Sequence, residues 1–376
     1  MKIVYCADSI RGIGGIQRVT VAKVNALADL PGNRVWILVA DTSGEQIFEL
    51  SPKVKVTDLC VNYYEDDWKS RWHVLKGILL KRRLHKRKVK EALEEINPDV
   101  VVSVGESEKY FLAGLKGGWL KVREIHFYKH YRCLAAGTPG ARAIARLSEA
   151  YDFGWKIRRY DRIVVLTEED RKNNWRNCNK VRVIPNPLPF TRDRVSPLNE
   201  KCIVAVGRLT AQKNFISLLR AFRPVADRFP EWHLEIIGDG GDRKMLADEV
   251  ERLSLGDNVM LRGAVKDVRE RLLSASCLVS SSVFEGFGMA LTEAMSCGLP
   301  VVSYSCPTGP SEIITDGVDG FLVAPGDEKA LAERICTIIE NEDLRKKMGA
   351  AAFRSSARYD IDRIVSMWMN LFEGKC

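Results

Sequence analysis

No stretch of this 376-residue sequence reaches the ~18–20 consecutive apolar residues that a membrane-spanning helix needs, which excludes an integral helical membrane protein. Residues 1–8 are too short an apolar stretch to read as a secretory leader, since the five apolar residues after Lys2 are cut off by Asp8, and the expected location is the cytoplasm. Ten cysteines are present without one Cys-x-x-Cys pair. That removes the usual metal-ligand spacing, and a disulfide framework is not expected in a chain this long. There is no internal repeat, and no low-complexity segment beyond one basic stretch. What is present is ordinary globular composition, 46% hydrophobic and 28% charged. At about 100–200 residues per domain, the length suggests two or three domains.

Charge is unevenly placed. Residues 1–195 hold 36 Lys and Arg against 23 Asp and Glu, a balance of +13, whereas residues 196–376 hold 22 against 26, a balance of −4. The basic half is expected to meet an anionic partner: a membrane surface, a nucleic acid or a phosphorylated substrate.

Short β-branched runs at 2–7, 34–40, 100–104 and 162–166 alternate with amphipathic helical patterns such as 17–30. After residue 200 the pattern restarts, with strand candidates at 202–206, 233–237, 258–261, 278–281 and 300–303. Strands alternating with helices imply parallel sheets wrapped by helices. Pro185, Pro187, Pro189 and Pro197 stiffen residues 184–198, which read as the seam between two α/β domains. Such sheets bind ligands beyond the carboxyl ends of their strands, so the site is expected in an interdomain cleft.

Three segments of the second half carry chemistry. In 278–300 a strand leads through Glu285-Gly286-Phe287-Gly288 into a helix stopped by Gly298 and Pro300. Free amides near Gly288 to Leu291 suit a pyrophosphate, and the carboxylates of Glu285 and Glu293 suit a vicinal diol. In 204–215 a strand ends at Gly207, and Arg208 and Lys213 follow five apart, placed to clamp a leaving diphosphate as its charge builds. In 236–242 a strand runs into Gly238-Asp239-Gly240; Asp239 and Asp242 look like a metal pair, but no further ligands complete it.

With these residues in view, 200–340 resembles the donor-binding domain of retaining glycosyltransferase family 4, and among its members those that build bacterial surface polysaccharides. The likeness rests on Gly207-Arg208-Leu209 with Lys213-Asn214, Gly238-Asp239-Gly240, Glu285 through Met295, Gly298-Leu299-Pro300, and Gly317 with Gly320-Phe321. It implies the GT-B fold: two doubly wound Rossmann-like domains, with an acceptor-side domain at 1–187, a nucleotide-sugar donor domain at 188–358 and a terminal helix, 359–376, crossing back. It assigns Arg208 and Lys213 to the diphosphate and Glu293 to the ribose. Glu285, with Phe287, Gly288, Met289, Ala290 and Leu291, goes to the donor sugar and phosphate, Gly238 to the same cleft edge, and Gly263 and Val265 to the base. Segment 306–314 resembles members that use UDP-hexoses or UDP-N-acetylhexosamines.

In the first half, Arg11 through Gln17 form a glycine-rich turn after the first strand. In the resembled family such a turn, here Gly14 and Gly15, lies beside the donor, and a His at a strand end, here His126, faces the donor sugar. Residues 68–96 pattern as a helix with Trp68, Trp72, Leu75 and Leu79 on one face and ten Lys and Arg before Glu91. An anionic membrane is the expected partner of 68–90. The combined expectation is a metal-independent, cofactor-free retaining hexosyltransferase. It would move sugar from a UDP-sugar to a lipid-linked glycan, peripheral on the inner face of the cell membrane and without nucleic acid. A GT-B nucleotide-sugar epimerase and a non-catalytic binder of anionic lipid or nucleic acid are the alternatives.

Overall fold

The computed structural model describes all residues except Ile13, Ser43, Gly44, Gln46, 64–70 and Cys376, with backbone alone for 71–78. The chain divides into two compact units, one from Met1–Pro189 with Ile361–Cys376 and the other from Phe190–Asp360. No described helix is long and apolar enough to cross a membrane.

In the first unit the strands are β1 (Lys2–Ala7), β2 (Arg34–Val39), β3 (Val54–Asp58), β4 (Val100–Ser103), β5 (Leu120–Glu124), β6 (Arg162–Val165) and β7 (Val181–Val183). The helices are α1 (Gly15–Asp29), α2 (Arg71–Ile96), α3 (Tyr131–Ala135), α4 (Pro139–Glu149) and α5 (Glu168–Asn174). The sheet is parallel with order β3-β2-β1-β4-β5-β6-β7. Side chains alternate across a strand, so β1 feeds two cores. Ile3 and Tyr5 join Val24 and Leu27 of α1, while Val4 and Cys6 join Val89 and Leu93 of α2. Both faces are covered, which is why the central strands read as unbroken apolar runs.

The second unit contains β8 (Cys202–Val206), β9 (His233–Ile237), β10 (Val259–Gly263), β11 (Cys277–Ser280), β12 (Val301–Tyr304) and β13 (Gly320–Val323). Its helices are α6 (Phe215–Arg228), α7 (Arg243–Arg252), α8 (Val268–Leu273), α9 (Met289–Ser296), α10 (Pro310–Ile313), α11 (Glu328–Glu340) and α12 (Glu342–Ser356). The order is β10-β9-β8-β11-β12-β13, again parallel. From β8 the chain winds one way to β9 and β10, and from β11 the other way, so the strand order reverses between β8 and β11. That reversal leaves a crevice at the carboxyl ends of these two strands. The last helix, α13 (Ile361–Phe372), belongs to the first unit, where Ile364, Val365, Trp368, Leu371 and Phe372 share the core of Ile3 and Tyr5.

Candidate functional site

The reversal point of the second unit receives two loops. After β8, Gly207 turns the chain and Arg208 and Lys213 follow; after β11, residues 281–288 lead into α9. Lys213 Nζ lies 2.6 Å from Glu285 Oε1, so the two loops are joined by a half-buried ion pair. Ser282 Oγ donates to the same carboxylate at 2.7 Å. Arg208 is exposed, and its guanidinium makes no hydrogen bond or ion pair among the described residues. Gly288, at φ +106°, precedes α9 in a left-handed conformation that a side chain would resist, and puts the helix start beside Glu285. Met289 and Ala290 in the first turn are half-buried, whereas Phe287 and Leu291 are core residues, 4 and 1% exposed. Phe287 packs edge-on to Tyr359 at 5.4 Å.

The glycines of the neighbouring loop have a steric reason. A Cβ on Gly238 would collide with the Gly207 carbonyl, and one on Gly240 with that of Leu209. Leu209 N–H donates to Asp239 O at 3.0 Å, which interlocks the loops after β8 and β9. Gly238 N–H donates to Gly263 O at 2.9 Å, so Gly263 stands at the end of β10, two strands from the reversal point. Half-buried Val265 follows it. Glu293, in the second turn of α9, is 4% exposed.

Sequence reasoning missed Ser282 and Thr308. Thr308 Oγ1 donates to Glu285 O at 2.9 Å, and Glu285 N–H donates to Pro307 O at 2.7 Å. Residues 307–309 therefore brace the Glu285 loop, and Gly309 (φ +108°) is required because a Cβ there would strike the Phe287 carbonyl. The only signal was that 306–314 already stood out in the family resemblance.

The loops after β8 and β11 fall within a stretch that a known family model covers. Residues 190–355 match the family model described as glycosyl transferases group 1. The second unit belongs to the group 1 glycosyltransferases. An uncharacterized glycosyltransferase of Haemophilus influenzae is 25% identical over 98% of this chain and 99% of its own length. The amylovoran biosynthesis glycosyltransferase AmsD of Erwinia amylovora is 31% identical over 56% of this chain and 62% of its own. Against relatives at 30% identity or more, the chain spans between 23 and 66% of their length. Among solved structures, S. aureus TarM, crystallised with UDP, Fondaparinux and α-GlcNAc-glycerol, superposes with a TM-score of 0.78 at 16% identity, covering 99% of both chains. The fold is GT-B, as expected.

Elsewhere in the glycosyltransferase unit, Cys202, His233 and Glu235 bring three potential ligand atoms within 4.8 Å at the amino-terminal ends of β8 and β9. Arg262 already neutralises Glu235 at 2.5 Å, and burial pushes the Cys202 thiol up to about 12, so the cluster is built as an ion pair beside a neutral thiol.

In the first unit, the strand order reverses between β1 and β4. Gly14 caps α1 with no side-chain bond, and Gly15 is its first residue. Asp8 accepts from Glu106 N–H at 2.7 Å and Ser107 N–H at 3.0 Å, tying the loops after β1 and β4 together. Glu108 is buried below them; Ser103 Oγ donates to it at 2.8 Å. Burial, then nearby Asp8, raises its carboxyl to about 7 against the attraction of Arg123. A raised carboxyl keeps its proton longer in the folded state, so stability falls as pH climbs from about 4.5 through 7 and then levels off. Glu108→Gln is therefore expected to stabilise the protein at pH 8 by about 1–3 kcal/mol and to gain little at pH 5, measured by urea unfolding at both values.

His126, just beyond β5, is buried, with Nε2 3.3 Å from Glu124 Oε1. Lys23 of α1, fully buried, pairs with that same oxygen, and its Nζ lies 4.6 Å from the Trp368 ring of α13. Burial alone would raise the Glu124 carboxyl; Lys23 and His126 overcome this and hold it at about 2. Burial also pulls the Lys23 ammonium down, against the opposing pull of Glu124. Direct contact between opposite charges makes the ion pair the state the geometry supports. In the basic helix, Trp68 and Lys69 lie outside the described residues, as do the side chains of Arg71, Trp72, Leu75 and Lys76.

Proposed function

We propose that this protein is a retaining glycosyltransferase. It moves a hexose or N-acetylhexosamine from a UDP-sugar to an acceptor sugar hydroxyl on a lipid-linked glycan of bacterial surface polysaccharide. One observation carries the reading. At the β8/β11 reversal Arg208, without a hydrogen bond or ion pair among the described residues, and Lys213 follow one strand, and the glycine-capped start of α9 follows the other, joined to it through Lys213 and Glu285, which supports a leaving diphosphate there. Support for UDP comes from TarM having been solved with UDP, and for polysaccharide building from the name of the Erwinia relative.

The chemistry follows from charge. As the bond from C1 to the diphosphate oxygen breaks, negative charge grows on the leaving group. Arg208, Lys213 and the α9 amides are fixed before the event, so they stabilise the transition state without reorganising. The acceptor oxygen bonds to C1 on the face the diphosphate leaves, and its proton passes to the departing phosphate oxygen. These cations take the place of a metal, and a chelator is expected to leave turnover unchanged. Glu285 balances Lys213 and stands next to the donor sugar; Glu293 holds the ribose diol; Gly238, Gly263 and Val265 line the base side. Within the first unit, Gly14, Gly15 and His126 lie at carboxyl ends of strands, the edge where such sheets take ligands, and are assigned to the sugar.

A panel of UDP- and GDP-sugars tested for thermal stabilisation examines the donor, since a ligand that binds only the folded state raises its melting temperature. UDP compounds are expected to stabilise and GDP compounds not. Glu293→Ala should weaken UDP at least about tenfold by calorimetry, the loss of hydrogen bonds to a charged acceptor. Unchanged affinity removes Glu293 from the ribose, and a product of inverted anomeric configuration by NMR removes retention.

A further inference from the structure

The first unit carries an apolar ridge that is exposed among the described residues. α4 continues into a wider helical stretch, Ala150–Lys156, and along the two Ile144, Leu147, Tyr151 and Trp155 are 70, 74, 50 and 61% exposed. Steps of three and four residues align side chains along one side of a helix. The acids of the same stretch turn inward. Glu149 is buried against His130 Nδ1 at 3.0 Å, and Asp152 against Arg132 at 2.8 Å and Lys109 at 3.1 Å. The outward charges, Arg142, Arg146, Arg158 and Arg159, are all positive.

The ridge adjoins the basic helix. The Tyr110 ring has Lys156 Nζ 4.5 Å from its centre and the Arg82 guanidinium of α2 at 4.0 Å. Beyond Arg82, α2 exposes Arg83, Lys86 and Arg87, and before it Leu79 and Leu80 are 58 and 64% exposed.

We infer that α4 and its continuation dock the protein onto an anionic lipid surface. Ile144, Leu147, Tyr151 and Trp155 enter the boundary between headgroups and acyl chains, and Arg142, Arg146, Arg158 and Arg159 meet lipid phosphates. An apolar ridge fringed by cations of one sign is the pattern of a helix lying in the interface plane. A nucleic acid would match the cations and leave the four apolar side chains in water. A second copy of this chain would bring the same four arginines against themselves. The surface extends the proposed lipid-linked acceptor by naming the face turned to the lipid, but its binding is measurable without any transfer.

The test is cosedimentation with vesicles of equal parts phosphatidylcholine and phosphatidylglycerol, and of phosphatidylcholine alone. The protein is expected to prefer the anionic vesicles, and more weakly as salt rises. Leu147→Ser with Trp155→Ser should lower the partition coefficient about tenfold or more. Arg142→Ser with Arg146→Ser should lower it several-fold and flatten the salt dependence. All four positions are exposed, and circular dichroism and an unchanged melting temperature verify the fold. Wild-type protein that ignores anionic vesicles overturns the inference, as does a Leu147/Trp155 variant that binds like wild type. So does a wild-type dimer in ultracentrifugation that the same variant splits, without vesicle binding. Protein that docks through this ridge yet transfers no sugar leaves the inference standing and counts against the transferase reading instead.

Discussion

Arg208→Ala is expected to lower turnover by about two to three orders of magnitude, the scale of losing one preorganised charge at a developing anion. Its melting temperature should stay within about 2 °C of wild type, because an exposed side chain without partners can be removed almost freely. The guanidinium makes no hydrogen bond or ion pair among the described residues, so lost activity with an unchanged melting temperature reports on chemistry. Lys213→Ala should show a similar kinetic loss but also destabilise by roughly 1–3 kcal/mol, since Glu285, 7% exposed, is left without its counter-charge. Adding Glu285→Gln should restore the melting temperature and not the turnover. Near-normal turnover in Arg208→Ala, measured with saturating donor, would remove the clamp from the mechanism.

The second large effect is expected far from that crevice. Lys23→Met strips the buried Glu124 carboxylate of its main counter-ion and should cost about 3–5 kcal/mol. Pairing it with Glu124→Leu should recover most of the loss, because an apolar pair of similar volume fills the site without buried charge. The pH dependence is specific. Glu124 is held at about 2, below its unfolded value, so its contribution is full above about pH 5 and lost as pH falls towards 2. The gap between wild type and Lys23→Met should therefore be widest near neutrality and narrow below about pH 4, by calorimetry across the range. An equal gap at pH 3 and pH 7 would mean that packing, not charge, makes the pair matter.

Much of the fold was legible in the sequence, and the reason is burial. β1, β8 and β9 begin and end where the β-branched runs do, because both faces of those strands are covered. The edge strand β3 escaped detection because Lys55, Thr57 and Asp58 break its apolar run, and β7 because three residues form no pattern. In the candidate site, Arg208, Lys213 and Glu285 were visible as chemistry attached to strand ends. Ser282 and Thr308 were not, since their bonds to Glu285 arise only when the loops after β11 and β12 meet. Lys23 and Glu124 lie 101 residues apart, and a lysine in an amphipathic helix gives no hint that it faces inward. The α4 ridge was missed for the converse reason: Ile144 and Leu147 carry a helical period that reads as core, and only the structure shows them 70 and 74% exposed.

The placement of α13 has a consequence for synthesis. Trp368 and Phe372 lie in the same core as Ile3, so the unit whose strands leave the ribosome first cannot complete its interior until residue 372 has been made. The glycosyltransferase unit, made later, holds all its own strands between Phe190 and Asp360 and can fold while the earlier one still waits for its final helix. Nascent chains stalled before residue 361 should thus display a protease-resistant second half joined to a digestible first half, the reverse of the order of translation.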